Sequence, residues 1–372
     1  MMYSFLLALS IISFSFSTFS YRAAIFSFLF LAAALALRPF ISVGGSRIFF
    51  KFLIFSLLVV GVSAVNQFYM PYLIKYVGML AFTIIFISML NDQRPEILYG
   101  VGRYFLQFHI FLFTLQLFLY VFTGAVIDFN ELIREDNARL IVRSRAVEDS
   151  FIGIRTSGGF SEPSIFSYTV LAVAPFMAMY KQKITILFAL SVLAAVFSFS
   201  VASIFVSFLM VIFMLYIDGR KRTVFLIASV LLAISPLMVS LIIFRVVDGV
   251  DYDAVGYRLF LLAEFEERGF LRNLFGSGFF WNEVNPIGVT GLSGAQTRDS
   301  SAYLNVFFAL GGVGLVYFLY MLFDVANRNK GYFLILLIFI LFKVYILTAA
   351  FWIAIIYAYL FSKSTKRVEA RL

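Results

Sequence analysis

Long apolar runs separated by short polar breaks make up most of this chain. They lie near 3–20, 23–37, 48–65, 70–90, 104–127, 164–180, 184–199, 201–217, 223–244, 302–322, 331–345 and 347–361. About 20 apolar residues, rising 1.5 Å each, cross the hydrocarbon core of a bilayer as a helix. Continuous runs, rather than alternating apolar and polar positions, exclude an outer-membrane β-barrel. The pattern predicts an all-α polytopic membrane helix bundle of about twelve transmembrane helices, with residues 1–372 forming a single integral membrane domain.

Composition narrows the chemistry that such a bundle can perform. Hydrophobic residues make up 62% of the chain and charged residues 13%, which excludes a soluble enzyme. Cysteine is absent and His109 is the only histidine, so neither a disulfide framework nor a histidine-rich metal site is expected. We expect no cofactor and no metal, and we expect His109 to be a packing residue within its span.

Charge is divided unequally between two long polar loops and the rest of the chain. The loops, 128–163 and 245–301, carry ten basic and fifteen acidic residues, a net charge of −5, whereas the remainder carries +14. Basic residues cluster on alternate short connections, which is the positive-inside pattern. The pattern predicts that both termini are cytoplasmic and that both long loops lie outside. Topology therefore accounts for the basic pI, and no nucleic-acid partner is expected.

The cations of these two loops are all arginines. They are Arg134, Arg139, Arg143, Arg145 and Arg155 in the first loop, and Arg245, Arg258, Arg268, Arg272 and Arg298 in the second. The planar guanidinium group grips phosphate oxygens through two hydrogen bonds at once. The set favours a pyrophosphate site near the lipid surface. The alternative is that the arginines pair with the fifteen acids and only solvate the loops.

The first loop closes on a short motif, Arg155-Thr-Ser-Gly-Gly-Phe-Ser-Glu162-Pro163. Gly158 and Gly159 predict a tight turn with exposed amides. Pro163 is suited to the first position of a helix, which places Glu162 at the positive helix end. An ordinary loop-to-helix junction would have the same pattern.

The second loop mixes apolar and charged positions at helical spacing between Tyr257 and Arg268. This predicts an amphipathic helix at the interface, which either takes part in chemistry or only packs over the bundle. The helix runs towards a turn at 276–278, and glycines at 311, 312 and 314 indicate close helix packing. Lys343 is expected near the turn between the last two spans, extended towards the outer face.

Together these features resemble the Wzy-type O-antigen and capsular polysaccharide polymerases and the related O-antigen ligases. The resemblance rests on the topology, on Arg155-x3-Gly159-x2-Glu162-Pro163, on Arg258 followed by Gly276-Ser277-Gly278, and on the Gly311-x-x-Gly314 step. It implies a glycosyltransferase of the bacterial inner membrane that joins undecaprenyl-pyrophosphate-linked repeat units at the periplasmic face, for lipopolysaccharide or capsule. The implied partners are those lipid-linked glycans, the bilayer and a chain-length regulator.

The same resemblance assigns roles to particular residues. Stabilisation of the leaving pyrophosphate falls to Arg155, Arg258 and Arg298, with Arg245 in reserve. Glu162 or Asp299 would accept the proton of the attacking hydroxyl, and Gly159 and Arg272 would bind substrate.

Two other functions stay open. O-antigen ligases place a histidine, followed by Asn, Ser or Gln, ahead of the glycine step with nine residues between. Here Ser300 and Ser301 occupy those two positions, which favours polymerase over ligase. A lipid-linked-sugar flippase ranks third, because most charges lie in the loops rather than within the spans.

Overall fold

The computed structural model is predominantly helical over the residues that it describes. These are 2–18, 20–39, 46–66, 68–133, 135, 155–219, 254–282, 285–292, 297 and 300–369. Within them there is no β-strand, as the apolar runs predicted. The predicted span 223–244 lies outside the described residues.

The first half of the chain folds into nine helices within the described ranges. They are α1 (Met2–Phe16), α2 (Tyr21–Leu37), α3 (Ser46–Val65), α4 (Met70–Leu90), α5 (Pro95–Thr123), α6 (Pro163–Leu171), α7 (Ala174–Lys181), α8 (Ile186–Phe197) and α9 (Val201–Ile217). Helix α5 begins nine residues earlier than its apolar run, because Pro95 occupies the first helical turn and the exposed Arg103 does not interrupt the helix.

The second half contributes five more helices. They are α10 (Ala254–Glu267), α11 (Gly269–Phe275), α12 (Ala302–Val325), α13 (Lys330–Phe339) and α14 (Ala349–Glu369). Helix α13 ends six residues before the predicted end of its span, and residues 340–348 form an irregular connection instead. The predicted span 164–180 is divided between α6 and α7 by a turn at 172–173.

Five helical segments are long and apolar enough to cross a bilayer by length and composition. They are Arg47–Val65, Met70–Leu90, Pro95–Thr123, Pro163–Lys181 and Ala302–Val325. Six apolar helices in the described ranges are shorter than 18 residues. The chain is thus a helical protein of membrane type, and the count of about twelve transmembrane helices stays a prediction.

Contacts at the starts and ends of α4 and α14 define two ends of the bundle. One end, which we call the loop end, joins segments that are distant in sequence. The Thr18 hydroxyl accepts the amide of Ala349 at 2.9 Å, and the Thr18 carbonyl accepts Lys75 Nζ at 2.6 Å. The amide of Tyr69 donates to the carbonyl of Phe280 at 2.6 Å. Segments from four parts of the chain, around residues 18, 69–75, 280 and 349, therefore meet there.

The opposite end, which we call the basic end, carries the short basic connections. Lys51 on α3 pairs with Asp324 on α12, and Lys363 on α14 lies 3.8 Å from Asp92. Asn327 donates to the hydroxyl of Ser362 at 2.6 Å.

Helix α12 is broken near its middle. Gly311 has φ 66° and ψ −167°, a conformation that only glycine adopts readily. Because of this break, the amides of the residues after Gly311 do not reach the carbonyls of the preceding helical turn. The carbonyls of Phe307, Phe308 and Ala309 then need other donors, and residues of the second loop supply them.

Candidate active site at the loop end of the bundle

The first-loop motif forms a tight turn that is held by a buried glutamine of α5. Gln116 Oε1 accepts the amides of Ser157 and Gly158 at 2.8 and 2.9 Å, and its Nε2 donates to the carbonyl of Ile127 at 2.8 Å. Gly158 has φ 58°, so the predicted turn is present. The expectation of exposed amides is wrong for Gly158, because Gln116 binds that amide inside the bundle.

Gly159 is buried against the helices on either side of the turn. A Cβ atom at this position would lie 3.0 Å from the ring of Phe16 on α1 and 3.4 Å from Leu112 on α5. Glycine is required here for close packing. Its predicted part in substrate binding is a hypothesis that this packing does not address.

Glu162 forms an ion pair that joins two distant parts of the chain. It precedes α6 as predicted, but its side chain does not cap that helix. Instead Oε2 lies 2.7 Å from Nζ of Lys343 and accepts the hydroxyl of Ser164 at 3.3 Å. Both charged side chains are largely but not fully buried, with 16% and 21% exposure for Lys343 and Glu162.

Lys343 is the functional candidate that the sequence did not assign. It lies in the 340–348 connection between α13 and α14, where the sequence placed it. Its partner is 181 residues away, so no local pattern could have indicated the pair. The pair places the Lys343 ammonium group at the start of α6. Arg155 begins the segment that leads into this helix. Arg155 itself is partly buried.

The other predicted site residues divide into three groups. Arg258 lies on α10 by its backbone, and Arg272 is exposed in the last turn of α11. Arg245, Arg298 and Asp299 lie outside the described residues.

The predicted helix is present as α10, but one of its charged residues, Glu264, is buried whereas Glu266 and Glu267 are exposed. Glu264 is buried, and its carboxylate accepts the amides of Val289 and Thr290 at 2.8 Å each and the Thr290 hydroxyl at 2.7 Å. Phe260 is exposed on the same helix. Glu264 therefore holds the loop at 289–290, whereas an interfacial helix was expected to turn its charges to water.

Arg268, at the junction of α10 and α11, is a buried arginine that serves the broken helix. Its guanidinium donates to the carbonyls of Phe308 at 2.9 Å and Phe307 at 3.2 Å, and Nε donates to Asn273 Oδ1 at 2.6 Å. It lies over the rings of Phe265, Phe307 and Phe308. Burial lowers the pKa of Arg268 to about 10, so the group is still charged at neutral pH.

The segment 276–278, which we call the glycine strap, completes this arrangement. The amides of Ser277 and Gly278 donate to the carbonyls of Phe308 and Ala309 at 3.0 and 2.8 Å. A Cβ at Gly276 would lie 2.3 Å from the Ala309 carbonyl oxygen. The strap thus supplies hydrogen-bond donors to the break in α12. At a rise of 1.5 Å per residue, this break lies about 13 Å from the start of the helix.

The same strap also contacts α3. The amide of Phe279 donates to Ser63 Oγ at 2.8 Å, and a Cβ at Gly278 would lie 2.9 Å from Ser63 Cα. Gly276 and Gly278, for which the sequence predicted a turn, and Gly311, for which it predicted helix packing, all allow such close approach.

His109 is enclosed by the aromatic core of α5 and its neighbours, as expected for a packing residue. It is 1% exposed, its ring stacks on Phe160 at 5.2 Å, and Nε2 lies 3.2 Å from Ser15 Oγ.

The described contacts place the candidate residues in two clusters. The first contains the Glu162–Lys343 pair and Gly159, which packs on α1 and α5, and it includes Arg155 because that residue begins the same loop segment. The second contains Arg268 and the glycine strap, with Arg272 beside it, and packs on α3 and α12. Among the described residues no group of three or more His, Asp or Glu side chains could hold a metal ion.

No protein-family model, no curated protein and no solved structure matches this chain. The site is therefore interpreted from its own residues.

Proposed function

We propose that the protein is a membrane glycosyltransferase that polymerises lipid-pyrophosphate-linked oligosaccharide repeat units, in the manner of the Wzy-type polymerases it resembles. The observation that carries the proposal is the first cluster. Arg155 and the Lys343–Glu162 pair bring two cations and a carboxylate to the loop end of a membrane-type bundle. Cations at the membrane surface suit a pyrophosphate leaving group.

The proposed reaction is one displacement at an anomeric carbon. A hydroxyl of the acceptor repeat unit forms the new glycosidic bond, the bond to the pyrophosphate breaks, and undecaprenyl pyrophosphate departs with the electron pair. Arg155, Arg258 and Arg298 would meet the charge that grows on the leaving group, with Lys343 now added and Arg245 in reserve. Glu162 or Asp299 would accept the hydroxyl proton, and Gly159 and Arg272 would contact substrate.

The position of His109 favours polymerisation over ligation. A ligase of this kind would place its histidine beside the start of α12, where this chain has Ser300. The single histidine is instead buried on α5 among aromatic rings. The ligase, which transfers finished glycan to lipid A-core, is therefore the second candidate. A flippase is the third, since Lys51 and Asp324 pair at a helix end rather than along a path through the spans.

The proposed orientation places the loop end in the periplasm and the basic end, with both termini, in the cytoplasm of a bacterial inner membrane. The chain has no cysteine, so single cysteines can be introduced at Ser150 and Ser293. In cells permeable only at the outer membrane, both should react with a membrane-impermeant thiol reagent. Labelling that requires lysis of the inner membrane would contradict this orientation.

The activity is tested with purified protein in liposomes and a lipid-linked repeat unit as the only glycan. Polymer of two or more units should form, and it should form in the presence of a chelator. Absence of polymer, with transfer to added lipid A-core, would assign the ligase activity instead. Activity that a chelator abolishes and a divalent ion restores would contradict the proposed use of arginine and lysine charge.

A further inference from the structure

Three cations share one carboxylate at the basic end, between α3 and α12. Lys51 pairs directly with Asp324. Arg47 Nη2 lies 4.0 Å from Oδ2 of the same carboxylate, and Arg328 Nε lies 3.3 Å from Oδ1. One negative charge faces three positive charges, so the cluster has an excess of two positive charges.

The buried lysine and the two arginines are placed differently in this cluster. Lys51 is buried beside Asp324, and its ammonium group lies 3.8 Å from the ring centroid of Tyr320. Arg47 and Arg328 are 71% and 55% exposed. Lys51 therefore compensates most of the negative charge of Asp324. The guanidinium groups of Arg47 and Arg328 also lie close to this carboxylate, but they are exposed.

The turn that carries Arg328 is held in place by α14. Asn327 and Arg328 both have positive φ, 46° and 59°. Asn327 donates to the carbonyl of Tyr359 at 3.1 Å and to Ser362 Oγ at 2.6 Å. This unusual backbone turns Arg328 back towards Asp324, so the arginine is positioned before any ligand arrives.

Exposed apolar rows run from the cluster along both helices. On α3 the row is Phe50, Leu53 and Leu57, and on α12 it is Tyr320, Val316 and Val313. Each row follows helical spacing and leads away from the cations towards the middle of the helix. Positive charge at the helix ends matches the head group of an anionic phospholipid, and the apolar rows beside it match the acyl chains.

We propose that this cluster is a binding site for one anionic phospholipid. The phosphodiester accepts hydrogen bonds from Arg47 and Arg328, while the acyl chains lie along the exposed rows of α3 and α12. The lipid would neutralise the charge that Asp324 leaves uncompensated. This proposal does not depend on the glycosyltransferase function.

The test uses the purified full-length chain and native mass spectrometry with added phosphatidylglycerol. Binding should exceed that of phosphatidylcholine, and the double variant Arg47→Gln, Arg328→Gln should bind phosphatidylglycerol about tenfold more weakly. The matched control is Arg94→Gln, Arg103→Gln, which removes two exposed charges of α5 and should bind like the unchanged protein. Circular dichroism checks that both double variants are folded.

Three results would overturn the proposal. Equal weakening in both double variants would show a general effect of surface charge. Unchanged binding in the Arg47, Arg328 variant would remove these residues from any lipid site. Displacement of phosphatidylglycerol by millimolar inorganic phosphate would show a site for soluble anions rather than for a lipid.

Discussion

Two segments of the polar loops enter the bundle, and they use their cations in opposite ways. In the second loop, Arg268 is 4% exposed, and its donors go to two backbone carbonyls and an asparagine of the same cluster. In the first loop, Arg155 is partly buried and the side chain of Glu162 is 21% exposed. Lys343, which pairs with Glu162 from the 340–348 connection, is 16% exposed. The loops of this protein thus hold one arginine as a buried structural support and another at a partly exposed position.

The difference follows from the backbone that each segment contacts. The break at Gly311 leaves carbonyls of α12 without helical donors, and a buried carbonyl without a donor costs about 1–3 kcal/mol. Arg268 and the glycine strap supply those donors. The first-loop turn has its backbone satisfied by Gln116, so its charged side chains are not needed for that purpose.

The largest effect is expected at the break itself. Gly311→Ala would place a Cβ 2.3 Å from the backbone of Leu274 and would force alanine into a glycine-only conformation. We expect a loss of stability on the order of 4 kcal/mol, measured as thermal unfolding in detergent. Gly312→Ala is the control, because its Cβ would have no neighbour closer than 3.8 Å. Equal stability of the two variants would contradict the strap as the support of the break.

Arg268→Leu is expected to have the next largest effect. It keeps the apolar contacts with Phe265 and Phe307 but removes the donors to two buried carbonyls. Stability should fall by about 3 kcal/mol. Arg272→Leu, four residues later and exposed, should unfold within about 0.5 kcal/mol of the unchanged protein. A similar loss in both variants would remove the structural role assigned to Arg268.

Substitutions of two arginines proposed for catalysis, Arg155 in the first cluster and Arg258 on α10, should change activity and leave stability nearly unchanged. Lysine keeps the charge of arginine but cannot bind a phosphate through two hydrogen bonds. Arg155→Lys and Arg258→Lys should each lower polymer formation about a hundredfold, close to 3 kcal/mol of transition-state stabilisation. Arg139→Lys, in the middle of the first loop, should be nearly silent. Full activity in the first two variants would remove both arginines from the site.

The smallest effect is expected where the first loop meets the α1–α2 turn. The carboxylate of Glu135 accepts the amide of Arg22 at 2.5 Å and the hydroxyl of Ser20 at 2.9 Å. Chiefly through the Arg22 amide, its pKa is held below the ordinary 4.5. The contact therefore contributes fully above pH 4.5 and is lost as the pH falls below that value.

Glu135→Gln should cost less than about 1 kcal/mol at neutral pH and should remove this acid sensitivity. The protection factor for hydrogen exchange at the amide of Arg22 measures both this free-energy cost and the acid sensitivity. Glu131→Gln, an exposed neighbour, is the control. A protection factor at the Arg22 amide that does not change with pH in the unchanged protein would contradict this contact.

The sequence predicted those features that depend on local patterns. The apolar runs located most helices, the run 70–90 agreeing with α4 at both ends. Pro163 and Gly158 predicted a helix start and a turn, and both are present. Each of these depends on residues that are neighbours in the chain.

Features that depend on distant contacts were not predicted. Lys343 and Glu162 are 181 residues apart, and nothing near either residue indicates its partner. The sequence did not predict that Glu264 and Arg268 are buried. The acceptors of Arg268 belong to a broken helix, and the donors to Glu264 belong to a returning loop. Helical spacing shows which residues share a face, but it does not show what covers that face.

The glycan length profile of cells with and without this chain tests the proposed function most directly. Polymerase activity predicts that deletion leaves glycans of a single repeat unit, that the unchanged gene restores long polymer, and that Arg155→Lys does not. Long polymer accumulating on the lipid carrier after deletion would contradict the account and assign a ligase. Repeat units held in the inner leaflet would contradict it in favour of a flippase.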